Sequence, residues 1–321
     1  MHIVDMHCDT ISALLEEKER KGTGSLWDNQ LHLDLKRMKH SGYLLQNFAL
    51  FVNRKKYPDV TGRALLQWQL FEQELQKNKD CIRQVFRYGD IAENERNGRM
   101  SALLTLEEGG ILQGSLELLH SFYEKGVRMI TLTWNYPNEI GFPSAGGCNR
   151  KGLTERGFEL VEEMQRLGVV VDVSHLSDQG FYDVAETVKR PFVASHSNAR
   201  SVCGAARNLT DDMIRLLAEH GGVMGLNFYP DFLTRVEAGA ENPGTIEAVI
   251  RHAIHIVNTG GIGVLGLGSD FDGIDGHREL PGAQAMPRLE HALEKAGFCA
   301  SQREKILGEN VLRVYRDTLP G

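Results

Sequence analysis

The chain has 321 residues, 41% of them hydrophobic and 25% charged, proportions that suit a globular protein with a sizeable core and exclude a disordered chain. A formal net charge of -7 and the lack of any long Lys/Arg run argue against a nucleic-acid partner, and Arg54-Lys55-Lys56 reads as a solvated loop. Five cysteines without C-x-x-C spacing indicate neither a disulfide framework nor a four-cysteine zinc site; with no leader-like N-terminus and no apolar stretch of ~20 residues, they predict a cytoplasmic protein that has no membrane attachment.

In chain order, short apolar and β-branched runs alternate with longer amphipathic segments, the pattern of βα units on a parallel sheet. The runs are His2 to Asp9, Leu44 to Val52, Ala102 to Glu107, Met129 to Trp134, Val169 to His175, Pro191 to His196, Val223 to Phe228 and Val264 to Asp270. Between them the spacing predicts helices over Leu116 to Lys125, Thr154 to Leu167, Asp211 to His220 and Ile246 to Asn258, with Thr154 as an N-cap and Gly168 as a stop. Eight strands interleaved with helices, without a linker or an internal repeat, predict an α/β protein: a single (β/α)8 TIM barrel over residues 1–321. An open doubly wound sheet is the alternative. Its nucleotide-binding form would carry G-x-G-x-x-G after the first strand, where this chain has His7-Cys8-Asp9-Thr10.

Catalytic side chains of such barrels gather where the strands end. The first run ends in Asp5-Met6-His7-Cys8-Asp9, whose period of two puts His7 and Asp9 on one face. The third ends in Glu107-Glu108, with Leu103, Thr105 and Glu107 counted inward; the fifth ends at His175 and the sixth at His196. The eighth ends in Asp270-Phe271-Asp272-Gly273, with Gly266, Gly268 and Asp270 inward. Any one strand-end histidine is more often a hydrogen-bonded core residue than a ligand. Three of them among acids that would otherwise repel one another point to divalent cations, and imidazole with carboxylate suits zinc. Six such groups exceed one tetrahedral shell, which predicts two metals and a metal-dependent hydrolase, amidohydrolase-like in class. His252 and His255 fall on an amphipathic helix and are expected to face solvent. No G-x-S-x-G serine elbow is present.

With these motifs in this order, the sequence resembles the membrane (renal) dipeptidase family of zinc peptidases, peptidase family M19. The resemblance runs from residue 1 to about Asp317 through Asp5 to Asp9, Glu107 to Gly110, Val171 to His175, Ser195 to Ser197, Arg207-Asn208 and Gly268 to Gly273. It implies a (β/α)8 barrel with two Zn2+ per chain. His7 and Asp9 hold one metal, His175 and His196 the other, and a glutamate bridges them; the strand-face count selects Glu107 over Glu108. It further implies that a bridging hydroxide attacks the peptide bond of a dipeptide and that Asp270 carries the proton. Arg207 receives the substrate carboxylate, and Trp134 and Tyr229 are expected to contact the substrate. One departure stands out: renal-type members have a histidine at the end of the fourth strand where this chain has Trp134, and Asn135 is expected to point away from the site. Hydrolysis of a lactam, an N-acyl amino acid or an ester is the alternative activity. The alternative outside enzymes is a metal-binding protein that has lost catalysis. A homodimer is left open.

Overall fold

The computed structural model describes residues 2–237, 239–275 and 277–321. Its strands are β1 (Ile3–Asp5), β2 (Tyr43–Phe51), β3 (Ile82–Gln84), β4 (Met100–Glu107), β5 (Val127–Thr131), β6 (Val170–Asp172), β7 (Val193–Ala194), β8 (Val223–Leu226) and β9 (Leu265–Leu267). All pairings are parallel. β1 pairs with β2 and β9, β2 with β4, and the chain of neighbours then runs β4 to β9, so that eight strands close on themselves as a barrel. Each barrel strand is followed by helix, which buries the outer face of a sheet that has no solvated side.

The period of two fills the barrel. Val4, Leu45, Leu103, Met129, Val170, Val193 and Val223 form one buried cluster, to which the last helix, Asn310–Thr318, adds Val311, Val314 and Tyr315. That helix lies across the N-terminal ends of the strands, where the Tyr315 hydroxyl donates to Asn47 Oδ1 at 2.9 Å. Burying each such Val or Leu stabilises the fold by about 1.5–3 kcal/mol. The bottom is thereby closed, and only the C-terminal end of the barrel can open into a site.

The expected helices are present as Leu116–Glu124, Glu155–Leu167, Asp211–Glu219 and Ile246–Gly260. Thr154 caps the second of these by accepting from Gly157 N at 2.9 Å, and Gly168 ends it in the left-handed conformation at φ 76°. Two differences from expectation matter. β3 is a ninth strand that pairs with Met100 to Ala102 of β4, below the point where β5 joins at Leu104; its three residues are too few to show a period. Several barrel strands are also shorter than the apolar runs. β1 stops at Asp5, β6 at Asp172, β7 at Ala194 and β9 at Leu267, so that His7, Asp9, His175, His196 and Asp270 stand on the turns just beyond.

Candidate functional site

Two buried aspartates shape those turns. Asp5 Oδ1 accepts from Ser269 N at 2.9 Å and His7 N at 3.3 Å, and Asp5 Oδ2 from Ser269 Oγ at 2.6 Å, which ties the end of β1 to the end of β9. Asp172 does the same for β6 and β7. Its Oδ1 accepts from Ser174 N at 3.0 Å and Ser195 N at 2.8 Å, and its Oδ2 from Thr131 Oγ1 and Ser195 Oγ, both at 2.5 Å. In the sequence each of these aspartates reads as one polar residue inside an apolar run. Close backbone approach completes the arrangement. A Cβ on Gly268 would stand 1.7 Å from Ser195 O, so only glycine lets β9 come this near to the His196 turn.

The turns bring the expected side chains together. His7 Nε2 lies 3.4 Å from Asp9 Oδ2, 3.3 Å from Glu107 Oε2 and 3.7 Å from Asp270 Oδ1. The other oxygen of the same glutamate, Glu107 Oε1, lies 3.1 Å from His175 Nε2 and 3.6 Å from His196 Nε2. Glu107 therefore has one oxygen toward each histidine group. Glu108 is turned away at φ 83°, and its Oε1 accepts from Gly110 N at 2.8 Å and Asn138 Nδ2 at 2.5 Å. His175 and Asp270 also hold positive φ, 69° and 64°, a conformation uncommon outside glycine that marks both as fixed by their surroundings.

Hydrogen bonding sets the tautomers. Ser195 Oγ gives its single hydrogen to Asp172, so it accepts from the Nδ1–H of His196 at 2.8 Å. His175 Nδ1–H donates to Asn135 Oδ1 at 3.2 Å. Both Nε2 atoms are then bare lone pairs, and they face each other at 2.9 Å beside a carboxylate. Burial lowers both imidazoles well below their ordinary pKa, with Arg207 and His7 adding to the effect, so they stay neutral. Burial also pushes Glu107 up to about 8 against the lowering pull of His7, and raises Asp270. Burial opposes the charging of His7, but Glu107 and Asp9 outweigh it and lift that group well above its ordinary value. Lone pairs and carboxylates packed this closely are what a cation neutralises.

A cavity of about 460 Å³ opens over this cluster. Trp134 and Asn135 line one side, with Phe51 packed 5.0 Å from the Trp134 ring, and Tyr229 and Phe232 line another. Asn135 thus faces the site, contrary to expectation, because β5 ends at Thr131 and strand alternation no longer applies. Arg207 is half-buried, with Nη1 donating to Ser197 Oγ at 3.2 Å and Nη2 to His196 O at 3.1 Å. Burial brings its guanidinium down to about 10, with Asp270 and Glu107 opposing the drop. His252 also departs from expectation. It is fully buried, accepting from Ala199 N at 3.1 Å and donating to Leu233 O at 3.0 Å, whereas His255 stays partly exposed. No described helix is long and apolar enough to cross a membrane.

A sequence model described as membrane dipeptidase (peptidase family M19) matches residues 1–319. An uncharacterised dipeptidase of Schizosaccharomyces pombe is 32% identical over 303 residues, which cover 89% of this chain and 72% of that one. Dipeptidase tcpJ of Claviceps purpurea is 29% identical over 297 residues, covering 89% of this chain and 69% of that one. Among solved structures, dipeptidase AC, a metallopeptidase of family M19, superposes with a TM-score of 0.90 at 28% identity, covering 100% of this chain and 99% of that one. A metallopeptidase from Rhodobacter sphaeroides, liganded with a phosphinate mimic of the dipeptide L-Ala-D-Ala, gives 0.89 at 27% identity and covers 99% of each chain.

Proposed function

Because this chain belongs to the membrane dipeptidase family, peptidase family M19, and is a hydrolase of peptide bonds, we propose that it is a zinc dipeptidase with a two-metal centre. The observation that carries this reading is Glu107, whose two oxygens lie 3.3 Å from His7 Nε2 and 3.1 Å from His175 Nε2. One carboxylate so placed is suited to link two metal sites, His7 with Asp9 and His175 with His196. The donor set fits zinc, since neutral imidazole and carboxylate are its ordinary ligands and two lone pairs at 2.9 Å call for a cation. When bound, a zinc pair supplies a Lewis acid for the peptide carbonyl and a water acidified to a pKa of ~7.

The residues of the chain do the rest. Asn227 Nδ2 donates to Asp270 Oδ2 at 2.9 Å, which leaves Oδ1 to take a proton and return it to the leaving amine. Arg207 has N–H groups beyond those given to His196 and Ser197, and a guanidinium can grip the substrate carboxylate with two charge-assisted bonds. Trp134 and Tyr229 wall the cavity around the two side chains of a dipeptide. All five cysteines are free, which suits a reducing compartment and supports a cytoplasmic enzyme, and the closed barrel supports a single unit.

Zinc-loaded protein is assayed against a dipeptide library and against C-terminally amidated counterparts, with Arg207→Ala in parallel. Truncating one partner of a buried charge pair costs ~2 to 5 kcal/mol, so the variant should lose about 30-fold or more in kcat/KM on free dipeptides and far less on amides. Equal losses on both reject the carboxylate role. Absence of turnover on every dipeptide by the wild type rejects the reading as a whole.

A further inference from the structure

The charged side chains that line the cavity are all carboxylates, Asp9, Glu16, Glu107, Asp270, Asp272 and Asp275, and its histidine, His175, is neutral. Ionised carboxylates accept hydrogen bonds and donate none, so any hydrogen bond to a carbonyl oxygen gaining negative charge there comes from another group. Ser12 Oγ is turned to Phe51 O at 3.4 Å, and the Tyr229 hydroxyl to Asp231 Oδ2 at 3.3 Å. Asn135 is placed differently. It lines the cavity beside Glu107 and His175, and its Oδ1 takes the Nδ1–H of His175. The planar amide puts the two N–H groups of Nδ2 opposite that oxygen, and among the described residues none accepts from them.

We propose that Asn135 serves the reaction at both ends. Oδ1 holds the His175 ring in the tautomer whose Nε2 presents its lone pair beside Glu107, and Nδ2–H donates to the substrate carbonyl oxygen as its charge grows. The first role is that of a positioning residue acting through His175; the second touches the substrate directly. The inference rests on the dipeptidase reading and adds to it a residue that neither strand alternation nor the motif spacing reveals.

Asn135→Asp keeps an acceptor for His175 and removes the donor, whereas Asn135→Ala removes both, so the pair separates the roles. Metal-stripped wild type and variants are titrated with zinc by calorimetry, kcat and KM are measured on the best dipeptide, and thermal unfolding of the stripped proteins controls for folding. Partners that orient a ligating histidine are worth ~10 to 100-fold in metal affinity, and Asn135→Ala should lose this at one of two sites. Asn135→Asp should retain both zinc affinities while kcat falls about 10²-fold with little change in KM. A phosphinate dipeptide mimic should lose affinity for Asn135→Asp in parallel with kcat.

Asn135→Asp that keeps the wild-type kcat overturns the donor assignment. Wild type that binds two zinc ions and turns over, with Asn135→Ala unchanged in zinc affinity, overturns the positioning role and leaves the dipeptidase reading standing. Wild type that binds no zinc overturns both.

Discussion

Glu107 and Glu108 carry the same carboxylate one residue apart, and the backbone separates their tasks. Glu107 closes β4 in extended conformation and faces the imidazoles, while the positive φ of Glu108 swings its side chain onto Gly110 and Asn138. On the proposed roles, Glu107→Gln should lower bound zinc from two ions to one or none and cut kcat/KM by at least ~10²-fold. Glu108→Ala should keep both metals and cost about 1–3 kcal/mol of stability by orphaning buried donors, measured by denaturant unfolding. His252 gives a prediction remote from the site. Burial pulls its pKa down to about 4 in the folded protein. The unfolded chain, near the ordinary 6.5, binds the proton first as pH falls, so stability is full above pH ~6.5 and declines toward pH ~4. At ~1.4 kcal/mol per pKa unit this histidine accounts for about 3 kcal/mol of that decline. Melting temperatures followed from pH 7 to pH 5 should fall more steeply for wild type than for His252→Gln; parallel curves would remove His252 as the cause.

Strand ends explain which parts of the site could be read in the sequence. Glu107 was legible because it lies inside β4, where alternation holds, and Gly266 and Gly268 do face inward as counted. His7, Asp9, His175, His196 and Asp270 are legible for a broader reason, each standing at the end of an apolar run, although the backbone there has left the strand. Beyond that point the period of two carries no information, which is why Asn135 faces the site although alternation turns it away. Asp5 and Asp172 carry no such signal, because their partners are backbone and hydroxyl groups in and beyond the neighbouring strands. The burial of His252 depends on Ala199 and Leu233, which the helix pattern does not contain. The Asp270-to-Gly273 turn tests how tightly these ends are packed. A Cβ on Gly273 would meet Asp9 Oδ2 at 2.0 Å and Asp270 Oδ1 at 2.6 Å. Gly273→Ala should therefore displace both carboxylates and lower kcat/KM by ~10-fold or more, while the melting temperature, set by barrel and helices, moves by only a few degrees. Wild-type kinetics in that variant would mean that the turn is looser than described.

At the scale of the molecule, the barrel holds apart what its turns bring together. Eight strands closed at one end by Tyr315 leave one mouth, and the ends of five of them deliver His, Asp and Glu side chains to it. A chain of net charge -7 that concentrates six carboxylates around one cavity is costly to fold without cations, so metal binding and stability should be linked. Stripping the metals should lower the melting temperature, and restoring them should raise it, by an amount that grows with free zinc. The most direct test of the two-metal dipeptidase is a zinc titration of the stripped protein, with bound metal and dipeptide hydrolysis measured on the same samples. Two sites should saturate at two zinc ions per chain, with hydrolysis appearing as they fill. Saturation at one ion, or hydrolysis that persists in protein shown to be free of metal, would contradict this.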